Sequence, residues 1–191
     1  MSQMLRRLRQ DHANLQKLLF ILERQIAAFD RREGPDWDII EGAIDYLLTY
    51  PDLRHHPTED RILRRLQAKD PSAAAPFRDL DAGHREQSAA LRRIAAATRQ
   101  VLQDASMARE GYVGLLFDFV AALRDHIRKE EAGFFPAAER SLDASDWAEL
   151  EREEPDISDP LTGDVVERRF AVLRRNLDYW DATDRFQHQT D

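Results

Sequence analysis

Apolar residues recur at three- and four-residue spacing along four long stretches of the chain. Each stretch places one histidine where the repeat asks for an aliphatic side chain. The first reads Leu5, Leu8, His12, Leu15, Leu19, Leu22, Ile26, Phe29, and the second Trp37, Ile40, Ile44, Leu47, Pro51, His55, Glu59, Ile62, Leu66. The third reads Phe77, Leu80, His84, Gln87, Leu91, Ile94, Thr98, Val101, and the fourth Tyr112, Leu116, Phe119, Leu123, His126, Glu130. Such spacing marks the core-facing stripe of an amphipathic helix. It predicts helices over about 3–29, over 36–68 with an interruption at "YPDLRHHP", from after "KDPSAAAP" to about 104, and from after "ASMAREG" to about 142. Asp36 is a suitable N-cap for the second. The short connections make consecutive helices antiparallel neighbours, so the expected fold is all-α, an up-down-up-down four-helix bundle. A further stripe, Val166, Phe170, Leu173, Leu177, Trp180, predicts an additional C-terminal helix over about Asp164 to Asp184, with "DPLTGD" as its opening turn. The chain then divides into a bundle of residues 1–144 and a helical extension of residues 145–191.

Composition narrows the function classes. The 191 residues carry a net charge of −8 without a basic block, which excludes a dedicated nucleic-acid surface. Cysteine is absent, so there is neither a disulfide framework nor a thiolate zinc site. The first dozen residues lack the apolar run of a signal peptide, and no stretch is suited to span a bilayer. The expectation is a soluble cytoplasmic protein without membrane contact.

The histidines converge. Reflecting each helix about the turn that follows it brings His12, His55, His84 and His126 to one level of the bundle, within about one helical turn or ~5 Å. In "RHHPTEDRIL" and "DHIRKEEAGFF" a glutamate follows the histidine by four residues, so Glu59 and Glu130 reach the same layer. A lone histidine on an apolar face is ordinarily a hydrogen-bonded core residue. Four at one level with two carboxylates are not, because unpaired buried charge costs several kcal/mol. Six nitrogen and oxygen donors exceed one tetrahedral zinc site and suit two metals with bridging carboxylates and open positions. Imidazole with carboxylate points to iron first and manganese second. The Glu-x-x-His order of ferritin-like di-iron proteins is not found at these positions.

A histidine early in the first helix, "HHPTED", "AGHREQ" and "HIRKEEAGFFP" together resemble the hemerythrin-like proteins with an HHE cation-binding domain, over about residues 3 to 142. The resemblance implies a four-helix bundle with a non-haem di-iron centre. Its ligands fall on His12, His55, Glu59, His84, His126 and Glu130, with Glu59 and Glu130 as the bridging carboxylates. Manganese or zinc are secondary candidates. Oxygen-carrying members have a second histidine one turn from the first on the third helix, whereas here Ser88 and Leu80 flank His84. That departure favours sensing, peroxide or nitric-oxide chemistry, or iron handling over reversible oxygen storage. The expected ligand is a small diatomic or peroxide. An oxidase or peroxidase supplied with a reductant, and a helical interaction module with a structural metal, are the competing classes.

Around these six, His56 points about 100° away from His55 and reads as a surface residue or a support for the ligands. Glu131 and Asp60 read as solvated charges or acceptors for an imidazole. Pro57 removes a backbone donor between His55 and Glu59 and is positioned to widen the helix there. Gln87 is placed to line an access path, Tyr112 reads as core, and His188 lies in a polar tail. The C-terminal helix either docks across the bundle's outer groove or forms a homodimer contact anchored by Phe170 and Trp180.

Overall fold

A computed structural model describes residues 2–103, 109–163 and 166–187, with side chains described as far as residue 179. Among the described residues the chain is helical, with no strand. Helix α1 spans Gln3–Asp30, opened by the Ser2 hydroxyl accepting the Leu5 N–H at 3.1 Å. It closes where Arg32 adopts a left-handed φ of 62° and the Glu33 N–H reaches back to the Ala28 carbonyl. Helix α2 (Trp37–Tyr50) starts on Asp36, whose carboxylate accepts the Ile39 N–H as the sequence predicts.

The predicted interruption is not a break. Residues Pro51–His55 continue the rod as one wide turn into α3, His56–Lys69. The short α4 (Pro71–Ala74) and a tight turn over Ala75–Phe77 lead to α5, Leu80–Leu102. Phe77, expected to open the third helix, therefore precedes it. Helix α6 (Arg109–Lys129) passes through a second wide turn, Glu130–Phe134, into α7, Phe135–Ser141. Helix α8 (Ala144–Arg152) has no counterpart in the periodicity reading. Asp143 and Asp146 form a reciprocal capping box at its start, too short a signal to register as an apolar stripe.

The long rods enclose one another: α1 lies against α2 and α6, and α5 against α2 and α6. No described helix is long and apolar enough to cross a membrane. The apolar interior falls into two clusters. One joins Leu15 through Ile26 with Ile39 through Tyr50, Leu91, Ile94, Phe119, Leu123 and Ile127. The other joins Met4, Leu5 and Leu8 with Ile62, Leu66, Phe134, Phe135 and Leu142. The polar residues predicted to converge occupy the layer between them.

Helix α9 (Ala171–Gln187) packs on α1 and α2. It begins after a turn over Arg168–Phe170, later than predicted, and Asp164 and the Trp180 side chain lie outside what is described. Phe170, Leu173 and Leu177 are buried, and the Phe170 ring meets Tyr46 edge-on at 5.7 Å. Phe170 is thus buried within its own chain, with its ring covered by α2. Fully burying such a side chain contributes about 1.5–3 kcal/mol. A chain ending at Asp156 is therefore expected to keep the helicity of the bundle but to lose on the order of 5 kcal/mol in denaturant unfolding. Equal stability of the two chains would show that the stripe is not packed as described.

Candidate metal centre

Both glutamate-bearing segments are shaped by a proline. The His56 N–H donates to the Pro51 carbonyl, and the Phe135 N–H to the Glu130 carbonyl, each five residues back. Pro57 and Pro136 follow at once. A proline has no N–H for the carbonyl four residues earlier and its ring crowds that carbonyl, so the preceding turn opens. Such wide turns concentrate at functional sites. The widening expected at Pro57 is present, one turn earlier than the proline itself. The second was not anticipated, although "GFFP" carries the same signal. Gly133 lets the second wide turn lie against Phe77, since a Cβ there would come within 3.0 Å of the ring.

The six predicted side chains meet in one buried layer. His12, His55 and Glu59 form one group, and His84, His126 and Glu130 another, each with its donor atoms within 4.8 Å of one another. The carboxylates are shared between the groups. Glu59 Oε1 lies 3.4 Å from His55 Nε2 and 3.8 Å from His12 Nε2, while its Oε2 lies 3.4 Å from His84 Nε2. Glu130 Oε1 lies 2.8 Å from His126 Nε2 and 3.5 Å from His84 Nε2, while its Oε2 lies 3.3 Å from His12 Nε2. Each carboxylate thus gives one oxygen to each group.

A cation pair fits this arrangement. All four oxygens of Glu59 and Glu130, and His84 Nε2, are buried and accept or donate no hydrogen bond. Buried polar atoms without partners are rare in folded proteins and destabilising, and here they point at one another across a layer only a few ångströms wide. The donors are imidazole nitrogen and carboxylate oxygen, the set that suits first-row transition metals.

A second ring of carboxylates fixes the imidazoles from behind. His12 Nδ1 faces Glu131 Oε1 at 2.9 Å, His55 Nδ1 faces Asp11 Oδ2 at 3.2 Å, and His84 Nδ1 lies 3.6 Å from Asp60 Oδ1. A carboxylate on Nδ1 turns Nε2 toward the metal and increases its basicity. Glu131 thus takes the supporting role of a solvated charge drawn onto an imidazole, while Asp60 stands near His84 Nδ1 without a hydrogen bond to it. Asp11 went unrecognised in the sequence, where only its place beside His12 hinted at it. His56 is not a surface residue. Its ring stacks on His84 at 4.0 Å and its Nδ1 meets Asp52 at 3.0 Å. Ser88 donates to that same Asp52 at 2.9 Å, so its hydroxyl is engaged. Tyr112 is core, bonded to Thr98 at 2.8 Å. His188 lies outside the described residues.

Gln87 lines a small cavity of about 20 Å³ with His12, His55, His126, Leu91 and Phe119. It also lines, with Phe119 and His126, a surface cleft of about 450 Å³ between α5 and α6. The predicted access path has a physical counterpart there. His126 is the most exposed of the six, at 16 % of its side chain.

The layer is strongly charged when metal-free. Burial alone pushes the His55 pKa down, but Glu59 and Asp11 outweigh it and raise it to about 10. Burial likewise opposes Asp60, Glu130 and Glu59 at His84, which still rises to about 11. Burial and the Glu130 charge push Glu59 up, yet His55 and His84 prevail and bring it to about 2. Glu130 is held well below the usual carboxylate range by His12, His126 and His84, against its burial.

A helical protein whose core is divided by a shared imidazole–carboxylate layer belongs to the cation-binding bundles. The family model "Hemerythrin HHE cation binding domain" matches residues 3–138, and the chain belongs to that family. No curated protein and no solved structure matches it.

Two outcomes follow for the metal-free and altered chains. The raised His55 and His84 pKa values stabilise the fold fully below 6.5, and that contribution is lost as pH rises through about 10 to 11. The lowered Glu59 value stabilises it above 4.5, and that contribution is lost as pH falls toward 2. Denaturant unfolding of metal-free protein should therefore show greatest stability between about pH 4.5 and 6.5; a maximum at pH 9 would contradict the charge assignment. His126→Ala should lose metal while keeping the helical circular dichroism signal, since both apolar clusters remain. Wholesale unfolding of that variant would show that site and fold cannot be separated.

Proposed function

We propose that the protein is a non-haem di-iron protein that senses or reacts with oxygen, peroxide or nitric oxide, or handles iron. His12 and His55 would hold one iron and His84 and His126 the other, with Glu59 and Glu130 as the carboxylates shared between them. The observation that carries this reading is the division of each glutamate's two oxygens between the two imidazole pairs. Iron suits the donor set best, with manganese or zinc as substitutes. The reading takes residues 1–144 as an up-down-up-down bundle and residues 145–191 as its extension.

Among the described residues the donor set stops at six, two imidazoles on each side, and that supports reaction over storage. Each of the six side chains is supplied once, and Ser88, one turn beyond His84, bonds Asp52 rather than adding a donor. A metal beside His84 and His126 would therefore lack a third imidazole. A cavity lined by His12, His55 and His126 has room for about one water-sized molecule. Its apolar walls, Leu15, Leu47, Leu91, Phe119 and Leu123, favour a small uncharged ligand over an anion. When bound, iron would supply reversible one-electron chemistry at that position. The protein's own part is to hold the imidazoles on their carboxylates, keep bulk water out with the Leu91–Phe119–Leu123 wall, and admit ligand past Gln87.

Protein made in iron-rich medium should contain about two iron atoms per chain; near-zero occupancy, or a single tightly bound zinc, would overturn the assignment. Reduced protein should change its visible and near-ultraviolet spectrum on exposure to air or peroxide. An unchanged spectrum would leave a structural metal as the better account. Continued turnover with a reductant would move the protein to the oxidase or peroxidase class.

A further inference from the structure

Glu154 lies in the extended segment after α8, outside the four long rods, yet its side chain is only 7 % exposed. Its carboxylate faces three side chains from one eight-residue stretch. The Thr58 hydroxyl is 3.0 Å from Oε1, the Arg61 guanidinium pairs with Oε2, and Arg54 Nε is 3.4 Å from Oε1. That stretch, residues 54–61, is the one that carries His55 and Glu59. Arg54 extends the chain of contacts inward: its Nη1 donates to the Tyr50 hydroxyl at 2.8 Å and lies 3.6 Å from Asp11 Oδ2. The same Asp11 oxygen is the one facing His55 Nδ1 at 3.2 Å. An unbroken line of charged groups thus runs from the extension to one imidazole of the site.

We propose that Glu154 is a positioning residue for the metal centre, holding Arg54 and through it Asp11 and His55, so that metal occupancy and docking of the C-terminal extension are coupled. This rests on the di-iron reading above. The physical reason is charge balance in a dry setting. With Glu154 present, Arg54 is shared between two carboxylates and stays in place. Without it, two half-buried guanidiniums lose their common anion, and Arg54 is drawn toward Asp11. Asp11 then competes between Arg54 and the His55 N–H, and the imidazole loses the contact that aims Nε2 at the metal. The wide turn over Pro51–His55 departs from regular helical bonding just before Glu59, so this segment gains from an outside brace. No corresponding contact from the extension reaches His84 or His126 among the described residues, so the effect is greatest at the His55 side.

Coupling of this kind is reciprocal. If the extension steadies His55, then metal at His55 steadies the extension. The test uses the full chain with ferrous iron under anaerobic conditions. In wild-type protein, amide hydrogen exchange over residues 153–163 should slow on iron loading, a comparison that needs no substitution. Glu154→Gln should release iron to a chelator about 10- to 100-fold more readily, fall from about two irons to about one, and lose the exchange difference. Glu154→Asp should recover part of both. Iron retention and exchange unchanged in Glu154→Gln, with wild type fully loaded, would overturn the coupling while leaving the metal centre intact. Equal loss of both irons would reduce Glu154 to a merely structural role and also overturn it. Wild-type protein that takes up no iron would instead remove the di-iron reading, and this proposal with it.

Discussion

The fold depends on one costly feature: a layer of four imidazoles and two carboxylates set across the middle of an apolar core. It separates the Leu15–Ile26 side of the interior from the Met4–Leu8 side, so the two clusters cannot merge into one. Each ion in that layer has given up several kcal/mol of hydration. The helices around it must therefore be long, since each has to bury enough aliphatic surface on both sides of the layer to offset it. Helix α1 does so with Leu5 and Leu8 below His12 and Leu15, Leu18, Leu19 and Leu22 beyond it. The second and fourth rods meet the same demand by continuing through wide turns rather than ending. A helix that stopped at Tyr50 or Lys129 would lack His55 and Glu59, or Glu130, together with Ile62 and Leu66, or Phe134 and Phe135, on the far side.

That same constraint made most of the site legible in the sequence. A histidine interrupting an otherwise apolar repeat is visible because its neighbours at three and four positions are leucines, and four such interruptions at one level identify a layer. What was not legible depended on contacts between distant segments. Asp11 is one residue from a ligand, but nothing in a helical repeat tells that its carboxylate turns toward His55 rather than solvent. Glu154 sits in "EREEPD", a run indistinguishable from any solvated acidic stretch until α8 carries it back over α3. Of the two readings open for His56, surface residue or support for the ligands, its stacking on His84 picks out the second, a contact between helices that the repeat does not encode. The amphipathic stripe of α9 was visible, but its destination was not, because a stripe shows that surface must be covered and not which surface covers it.

The two sides of the centre differ in how they are held. His12 and His55 are packed between Glu131, Asp11 and the stacked ring of Phe135, and both are nearly inaccessible. His126 stands at the edge of two surface clefts, one reached between α5 and α6 and one along Phe77 and Gly133. Enclosure is thus concentrated on the His12 and His55 group and surface access on the His84 and His126 group.

Glu59 shows how tightly the two are joined. Its Oε1 belongs to the enclosed side and its Oε2 to the accessible one, while Thr58 and Arg61 on either side of it are tied to Glu154. A change of charge at the His84 side would act on Glu59 and Glu130 alike, since His84 Nε2 lies 3.4 Å from one and 3.5 Å from the other and neither carboxylate has a hydrogen bond. The neighbouring residues that would register such a shift are those in contact with the extension. The bracing contacts from Glu154 thus fall on the residues that flank Glu59, not on the more exposed His126.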